Sequence, residues 1–247
     1  MKEKINELFL GDCLEIMSDL PDKFFDMILC DLPYGTTQCH WDTPINLIEL
    51  WKQYNRIIKD NGVIALTAQT PFDKILGASN ISMLRYEWIW EKSSATGHLN
   101  ANRMPMKSHE NILIFYKKLP LYNPQKTIGH KRKISSADHK RNSIKSSNYG
   151  EYKNTSYDST ERFPVSILKF PSDKQKSCLH PTQKPVALFE YLIKTYTKEG
   201  DIILDNCSGS GTTGIAAINT NRNFVLIEKD EKYYNLAADR INNHNKI

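Results

Sequence analysis

The chain has 247 residues, 40% hydrophobic and 25% charged, the composition of one large globular domain or of a domain carrying an insert. No apolar stretch approaches the roughly 20 residues that span a bilayer. Met1-Lys2-Glu3-Lys4 is not followed by an apolar core of signal-peptide length, so a cytoplasmic protein with no membrane contact is expected. The net charge is +5, but its distribution matters more. Residues 117–176 hold 14 Lys and Arg against 5 Asp and Glu, while the remainder holds 19 against 23. Positive charge gathered in one segment is the footprint of a surface that faces a polyanion.

The five cysteines (13, 30, 39, 178 and 207) form no Cys-x-x-Cys pair. Cys39-His40, and Cys178 with His180, match no zinc spacing. Structural thiols are expected, and no metal site.

In chain order, Ile5 to Leu10 alternates weakly and predicts a short strand ending in Gly11-Asp12. Cys13 to Leu20 predicts one or two helical turns. Phe24 to Cys30 is an apolar strand that delivers Asp31-Leu32-Pro33-Tyr34 and Gly35. A carboxylate, a carbonyl and an aromatic ring at the mouth of a strand can hold a flat, amino-bearing ring; Asp, Pro and Tyr also end strands in plain turns. Residues 36–44 predict a loop, and Ile45 to Ile58 an amphipathic helix closed by Asp60-Asn61-Gly62. Val63 to Ala68 predicts a buried strand, Phe72 to Leu76 a helix, and Tyr86 to Trp90 a strand. A polar loop over 93–108 and a strand over Asn111 to Lys117 follow.

Between about 118 and 178 periodicity is lost, as in a functional insert or a disordered segment. Val186 to Tyr196 predicts a helix, Ile202 to Leu204 a strand, Gly214 to Asn219 a helix, Asn223 to Ile227 a strand, and Glu231 to Asn242 a last helix. Strands alternating with helices predict an α/β fold with a doubly wound, mostly parallel sheet whose ligands bind at strand C-termini. The catalytic domain is expected over 1–117 and 179–247, with the insert over 118–178.

Four strands end at or near a carboxylate: Asp12, Asp31, Asp205 and Glu228. After Asp205 comes Asn206-Cys207-Ser208-Gly209-Ser210-Gly211-Thr212-Thr213, a glycine turn between strand and helix where backbone can approach a ligand closely. It lacks the lysine of a phosphate-binding P-loop. Glu228, at the end of the next strand, can bind both hydroxyls of a ribose. An adenosine-containing cofactor follows, with a nicotinamide dinucleotide and S-adenosylmethionine both open at this level.

The order of these motifs resembles the β class of amino-group DNA methyltransferases. There an Asp-Pro-Pro-Tyr motif comes first, a target-recognition segment second and the cofactor glycine turn near the C-terminus. Gly11-Asp12-Cys13-Leu14-Glu15-Ile16-Met17, His109-Glu110-Asn111-Ile112-Leu113-Ile114-Phe115 and His180-Pro181-Thr182-Gln183-Lys184-Pro185 add to the match, and Tyr34-Gly35-Thr36-Thr37 to Trp41-Asp42 is similar to phage and prophage methylases.

The resemblance implies a Rossmann-like class I methyltransferase fold in circularly permuted motif order. It further implies S-adenosylmethionine as cofactor and transfer of its methyl group to the N6 amino group of an adenine flipped out of double-stranded DNA. The catalytic residues would be Asp31, Leu32, Pro33 and Tyr34. Asp31 and the Leu32 carbonyl would accept the two N–H bonds of the amine, and Tyr34 would stack on the base. The cofactor would be held by Asp12, Cys13, Asp31, His180, Pro181, Thr182, Gln183, Asp205, Asn206, Ser208, Gly209, Gly211, Thr212, Glu228 and Lys229, with Lys184 and Pro185 beside them. DNA phosphates would be met by Lys131, Arg132, Lys133, Lys140, Arg141 and Lys145, and by Arg103. The loops 36–44 and 93–108 flank the catalytic strand end and are candidates to close over the flipped base.

Leu32 replaces the usual first proline; only its carbonyl is needed, so side-chain change there is expected to be tolerated. Asn206-Cys207 replaces the usual Pro-Phe, which bears on cofactor affinity. By the same resemblance the protein would work at the nucleoid as a homodimer, with a cognate restriction endonuclease as partner. The alternatives are cytosine-N4 methylation, whose enzymes more often carry serine at the position of Asp31, an RNA or protein-glutamine methyltransferase, and a DNA-binding subunit without catalysis. A dehydrogenase lacks its substrate-side acid and base here.

Overall fold

The computed structural model describes residues 5–35, 42–136, 156–172 and 183–244. In chain order the elements are β1 (Glu7–Leu10), α1 (Cys13–Ser18), β2 (Phe25–Asp31), α2 (Leu47–Ile57), β3 (Ile58–Ala68), α3 (Phe72–Ser79), β4 (Leu84–Thr96) and β5 (Lys107–Phe115). They continue with β6 (Lys133–Ser135), β7 (Tyr157–Ser159), β8 (Ile167–Phe170), α4 (Val186–Tyr196), β9 (Ile202–Asp205), α5 (Thr212–Asn219), β10 (Asn223–Glu228) and α6 (Glu231–His244). The chain divides into two compact units, Met1–Asn123 with Ser166–Ile247, and Pro124–Val165.

The larger unit is built on an eight-stranded sheet in the order β1-β10-β9-β2-β3-β5-β4-β8. Pairing is parallel from β1 through β3 and again between β4 and β8. Only β5 is reversed, antiparallel to both neighbours.

Side chains of a strand alternate between faces, and here both faces are buried. Ile28 and Cys30, Ile64 and Leu66, Leu204, Val225 and Ile227 pack under α1, α2 and α3 with Met17, Leu50, Tyr54 and Leu76. Their neighbours Met27 and Leu29, Val63 and Ala65, Ile203 and Leu226 pack under α4, α5 and α6 with Leu188, Leu192, Ala216 and Ile241. Burial on both sides explains why these strands are apolar throughout. The fold is the mostly parallel, doubly wound α/β sheet expected.

Three local expectations change. Asp60-Asn61-Gly62 does not cap α2 but lies inside β3, where the register against β2 jumps from Phe25–Ile58 to Met27–Val63. Gly62 is needed for close approach: a Cβ there would meet Ile58 Cδ1 at 2.7 Å and the Asp26 carbonyl oxygen at 2.9 Å. The polar run 93–108 is the expected loop over 97–106 only, since β4 reaches Thr96 and pairs it with Lys107, which makes the two ends of the run strand. Residues 93–96 and 107–109 are exposed, so no apolar period marks them as strand. Thirdly, β8 falls inside the span 118–178 yet is an edge strand of the main sheet.

The smaller unit carries a two-stranded antiparallel sheet of β6 and β7, in which Lys133 pairs with Ser159 and Ser135 with Tyr157. Among the described residues no helix is long and apolar enough to cross a membrane.

Gly62→Ala forces its new methyl against a backbone oxygen, so urea unfolding should show a loss of about 1–3 kcal/mol. An unchanged midpoint would mean that the bulge has room to move.

Candidate active site

Because β1, β10, β9, β2 and β3 run the same way, their C-terminal ends share one edge of the sheet. That edge receives Asp12 just after β1, Glu228 at the end of β10, Asp205 at the end of β9 and Asp31 at the end of β2. A cavity of about 540 Å³ opens there, bordered by all four, and by Pro33, Tyr34, Gln183, Lys184, Asn206, Ser208 and Gly209. Such a volume suits a nucleoside-sized ligand.

At one end the Glu228 carboxylate accepts the backbone N–H of Gly209 at 2.7 Å and of Lys229 and Asp230 at 2.9 Å each. Burial nevertheless holds its carboxyl above the usual range, against the pull of those N–H groups. Asp12 caps α1 by accepting from Leu14 N at 2.9 Å and pairs with Lys229 Nζ at 3.0 Å. Burial works against the Asp12 charge, but Lys229 and the Leu14 N–H outweigh it and hold the carboxyl below its ordinary value. Asp205 ties the glycine turn together, accepting from Cys207 N at 3.1 Å and from the Thr213 hydroxyl. Its burial pushes the carboxyl up to about 6.

Gly211, left-handed at φ +74°, lets that turn enter α5; it does not border the cavity itself. Asn206 and Cys207, the departures from the family pattern, have partners here. The buried Tyr54 hydroxyl of α2 donates to Asn206 Oδ1 at 2.5 Å, and Asn206 Nδ2 donates to Cys207 Sγ at 3.5 Å. Cys13 and Cys207 border the cavity, while Cys30 is wholly buried and its thiol pushed up to about 12 by that burial.

The residues fit an adenosine-bearing sulfonium. The side-chain oxygen and nitrogen of Gln183 and the Ser208 hydroxyl are buried, border the cavity and have no hydrogen-bond partner among the described residues. Unpaired buried polar groups are costly, and a ligand with hydroxyl, amine and carboxylate groups would satisfy them.

At the other end stands Asp31. Its Oδ1 accepts from the Tyr34 hydroxyl at 2.6 Å and from the Thr67 hydroxyl, and its Oδ2 meets Lys184 Nζ at 2.5 Å. Thr67 lies beside Asp31 through the β2–β3 register. Lys184 Nζ is also 3.3 Å from Glu110 Oε2, and Glu110 Oε1 pairs with Lys92 at 2.6 Å and accepts from Gln69 at 2.7 Å. Burial alone would lower Lys184, but Asp31 and Glu110 overcome it and raise the ammonium to about 12. Burial likewise opposes the Glu110 charge, yet Lys184 and Lys92 bring its carboxyl down to about 2.

The ring of Tyr34 stacks on Phe72, with centroids 5.2 Å apart and planes at 27°. Leu32 borders the cavity, but its side chain packs into the core at 3% exposure. The expectation that residue 32 tolerates side-chain change is therefore corrected: truncation there would open a core cavity.

Of the expected cofactor set, Asp12, Cys13, Asp31, Gln183, Asp205, Asn206, Ser208, Gly209, Thr212, Glu228 and Lys229 come together around this cavity. His180, Pro181 and Thr182 lie outside the described residues, as do Lys140, Arg141 and Lys145. Arg103 is exposed near the tip of the β4–β5 hairpin. In the smaller unit Lys131 and Lys133 are exposed, whereas Arg132 is held by both oxygens of Asp158. The sequence gives no sign of a role for Thr67 or Lys92, while Glu110 stands in the His109 to Phe115 motif without a role assigned to it.

A mostly parallel sheet with one reversed strand and a ligand cavity at its C-terminal edge is the class I methyltransferase fold. The M1.HpyAVI–SAM complex matches it with a TM-score of 0.64 at 24% identity, over 95% of this chain and 98% of that one. The PvuII DNA methyltransferase, which is cytosine-N4-specific, matches with a TM-score of 0.67 at 15% identity, over 97% and 91%. The N6/N4 methyltransferase family, described as DNA methylases, matches residues 25–239, and the chain belongs to it. It is 25% identical over 265 residues to the type II methyltransferase M2.MboI of Moraxella bovis, covering 96% of this chain and 88% of that one. To M.HinfI of Haemophilus influenzae it is 26% identical over 278 residues, covering 98% and 70%. The chain is thus a DNA amino-methyltransferase, and S-adenosylmethionine is its cofactor.

The raised carboxyl of Asp205 has a sign that can be checked. The folded protein binds that proton more tightly than the unfolded chain does. Stability from this group is therefore complete below about pH 3.8 and is lost as pH rises through about 6. Asp205→Asn removes the effect, so its melting temperature relative to the parent should climb between those values. A flat difference would show that Asp205 does not carry the penalty.

Proposed function

We propose that this chain transfers a methyl group to the N6 amino group of adenine at a specific site in double-stranded DNA. The observation that carries this reading is the Asp31 carboxylate, held at a strand end on the border of the cofactor cavity by Lys184, Tyr34 and Thr67. The exocyclic amine of adenine is a poor nucleophile because its lone pair is delocalised into the ring. A carboxylate accepting one N–H bond and the Leu32 carbonyl accepting the other draw the nitrogen towards tetrahedral geometry and free that lone pair. An ionised acceptor makes the stronger bond, which favours an aspartate site for adenine over the serine more common in cytosine-N4 relatives. S-adenosylmethionine, when bound, supplies the activated methyl group. Glu228, Ser208 and Gln183 hold it, and Asp12 accepts from its adenine.

The target base has to leave the duplex to reach Asp31. Tyr34 stacks on it from a ring already braced by Phe72. Positioning and electrostatic preorganisation do the catalysis, and no cysteine is needed as a nucleophile. Likeness to the type II methyltransferases M2.MboI and M.HinfI supports a restriction–modification setting; the homodimer and the cognate endonuclease are part of the same proposal.

Asp31→Asn keeps the shape of the side chain and loses its charge. Calorimetry should show S-adenosylmethionine binding nearly unchanged, while methyl transfer falls by about 10²–10³-fold. Full turnover would remove Asp31 from the mechanism. Mass spectrometry of digested DNA should find N6-methyladenine; N4-methylcytosine instead would decide for the cytosine reading.

Lys131 and Lys133 are expected to meet DNA phosphates, so replacing either with alanine should flatten the log–log dependence of DNA affinity on salt by about one. Arg132→Ala should change that slope less, because Asp158 already holds the guanidinium. An equal loss for all three would show that the Arg132 pair opens on DNA.

A further inference from the structure

Lys184 has a second anion that the chemistry above does not use. Because β5 alone is reversed, its N-terminal end arrives at the edge where the parallel strands finish, and it brings Glu110 there. Glu110 and Lys92 are not among the residues that line the cavity. The side chains of Lys184, Glu110 and Lys92 are only 5%, 7% and 9% exposed. From Asp31 through Lys184 and Glu110 to Lys92 the charges alternate in sign and sum to zero.

An ionised carboxylate offers about four acceptor sites. On Asp31, Tyr34 and Thr67 take those of Oδ1 and Lys184 takes one on Oδ2. One site on Oδ2 is left among the described residues. An ammonium carries three donors and no acceptor. Nζ already sits close against Oδ2, and with Asp31 as its only anion it would be free to swing across that oxygen and cover the remaining site. Glu110 Oε2, 3.3 Å from Nζ, is a second anchor that fixes where the ammonium stands. Lys92 and Gln69 both engage Glu110 Oε1 and so leave Oε2 facing Lys184.

We infer that Glu110 is a positioning residue for methyl transfer: acting through Lys184, it keeps one acceptor site of Asp31 open for the target amine. Lys92 and Gln69 hold Glu110 in place for this. The inference rests on the reading of Asp31 as the amine acceptor.

The experiment is a mutant cycle on the full chain, read by steady-state kinetics with a methylatable duplex and by S-adenosylmethionine calorimetry. Glu110→Gln should lower kcat roughly 10–100-fold, as small misplacements at reacting groups do. KM for DNA and Kd for the cofactor should stay within about threefold of the parent, the scatter expected of uncoupled sites. Glu110→Asp, which keeps the charge, should recover part of the loss. In a Lys184→Gln background Glu110→Gln should cost nothing further.

Where Glu110→Gln alone melts too low to assay, Lys92→Met with Glu110→Gln restores neutrality and should show the same kcat loss with cofactor binding intact. Parent-like kcat in Glu110→Gln or in that paired variant overturns the inference, and so do losses that simply multiply in the Lys184→Gln background. Asp31→Asn fails independently: parent-like turnover there removes the underlying reading, whatever Glu110 does.

Discussion

Burial of the central sheet on both faces is the constraint from which the rest of the larger unit follows. With helices covering each side, no polar group can be placed in the middle of a strand without losing its water. Chemistry is left to the strand ends. Parallel pairing gathers those ends on one edge, and so Asp12, Asp31, Asp205 and Glu228, spread over more than two hundred residues of sequence, border one cavity. Each acid then meets a different partner. Backbone N–H groups hold Glu228, a turn and a hydroxyl hold Asp205, a helix N-terminus and a lysine hold Asp12, and a buried ammonium holds Asp31.

That last pairing is unlike the others in kind. Removing one partner of a buried ion pair typically costs about 3–5 kcal/mol, since the survivor is left charged without water. Asp31, Lys184, Glu110 and Lys92 avoid this by alternation: each interior member has an opposite charge on either side. The arrangement needs one strand to run backwards. A parallel β5 would have put its opening residues at the far edge of the sheet, away from Lys184.

Much of this was legible in the sequence. The apolar runs ending in Asp31, Asp205 and Glu228 gave strands and their ligand edge, because buried parallel strands leave an unmistakable continuous pattern. Motif order gave the family. What was not legible depends on register and on pairing between distant segments. Asp60-Asn61-Gly62 has the composition of a helix stop, yet tertiary pairing with β2 draws it into a bulged strand. The strand ends over 93–96 and 107–109 bury neither face, so they carry no period. Lys184 and Glu110 are separated by 74 positions, and nothing local in either stretch announces that they meet.

The place of β10, between β1 and β9, bears on how the protein is made. Leu8 finds its neighbour Leu226 only after β10, far along the sequence, has been made. Strand pairs of such long separation form late in folding. Until then β1 has no partner in the sheet, and Asp12 and Glu228 cannot flank a common cavity. The cofactor site is thus among the last features to assemble, so a growing chain already carrying its Asp31 motif has no methyl donor with which to act.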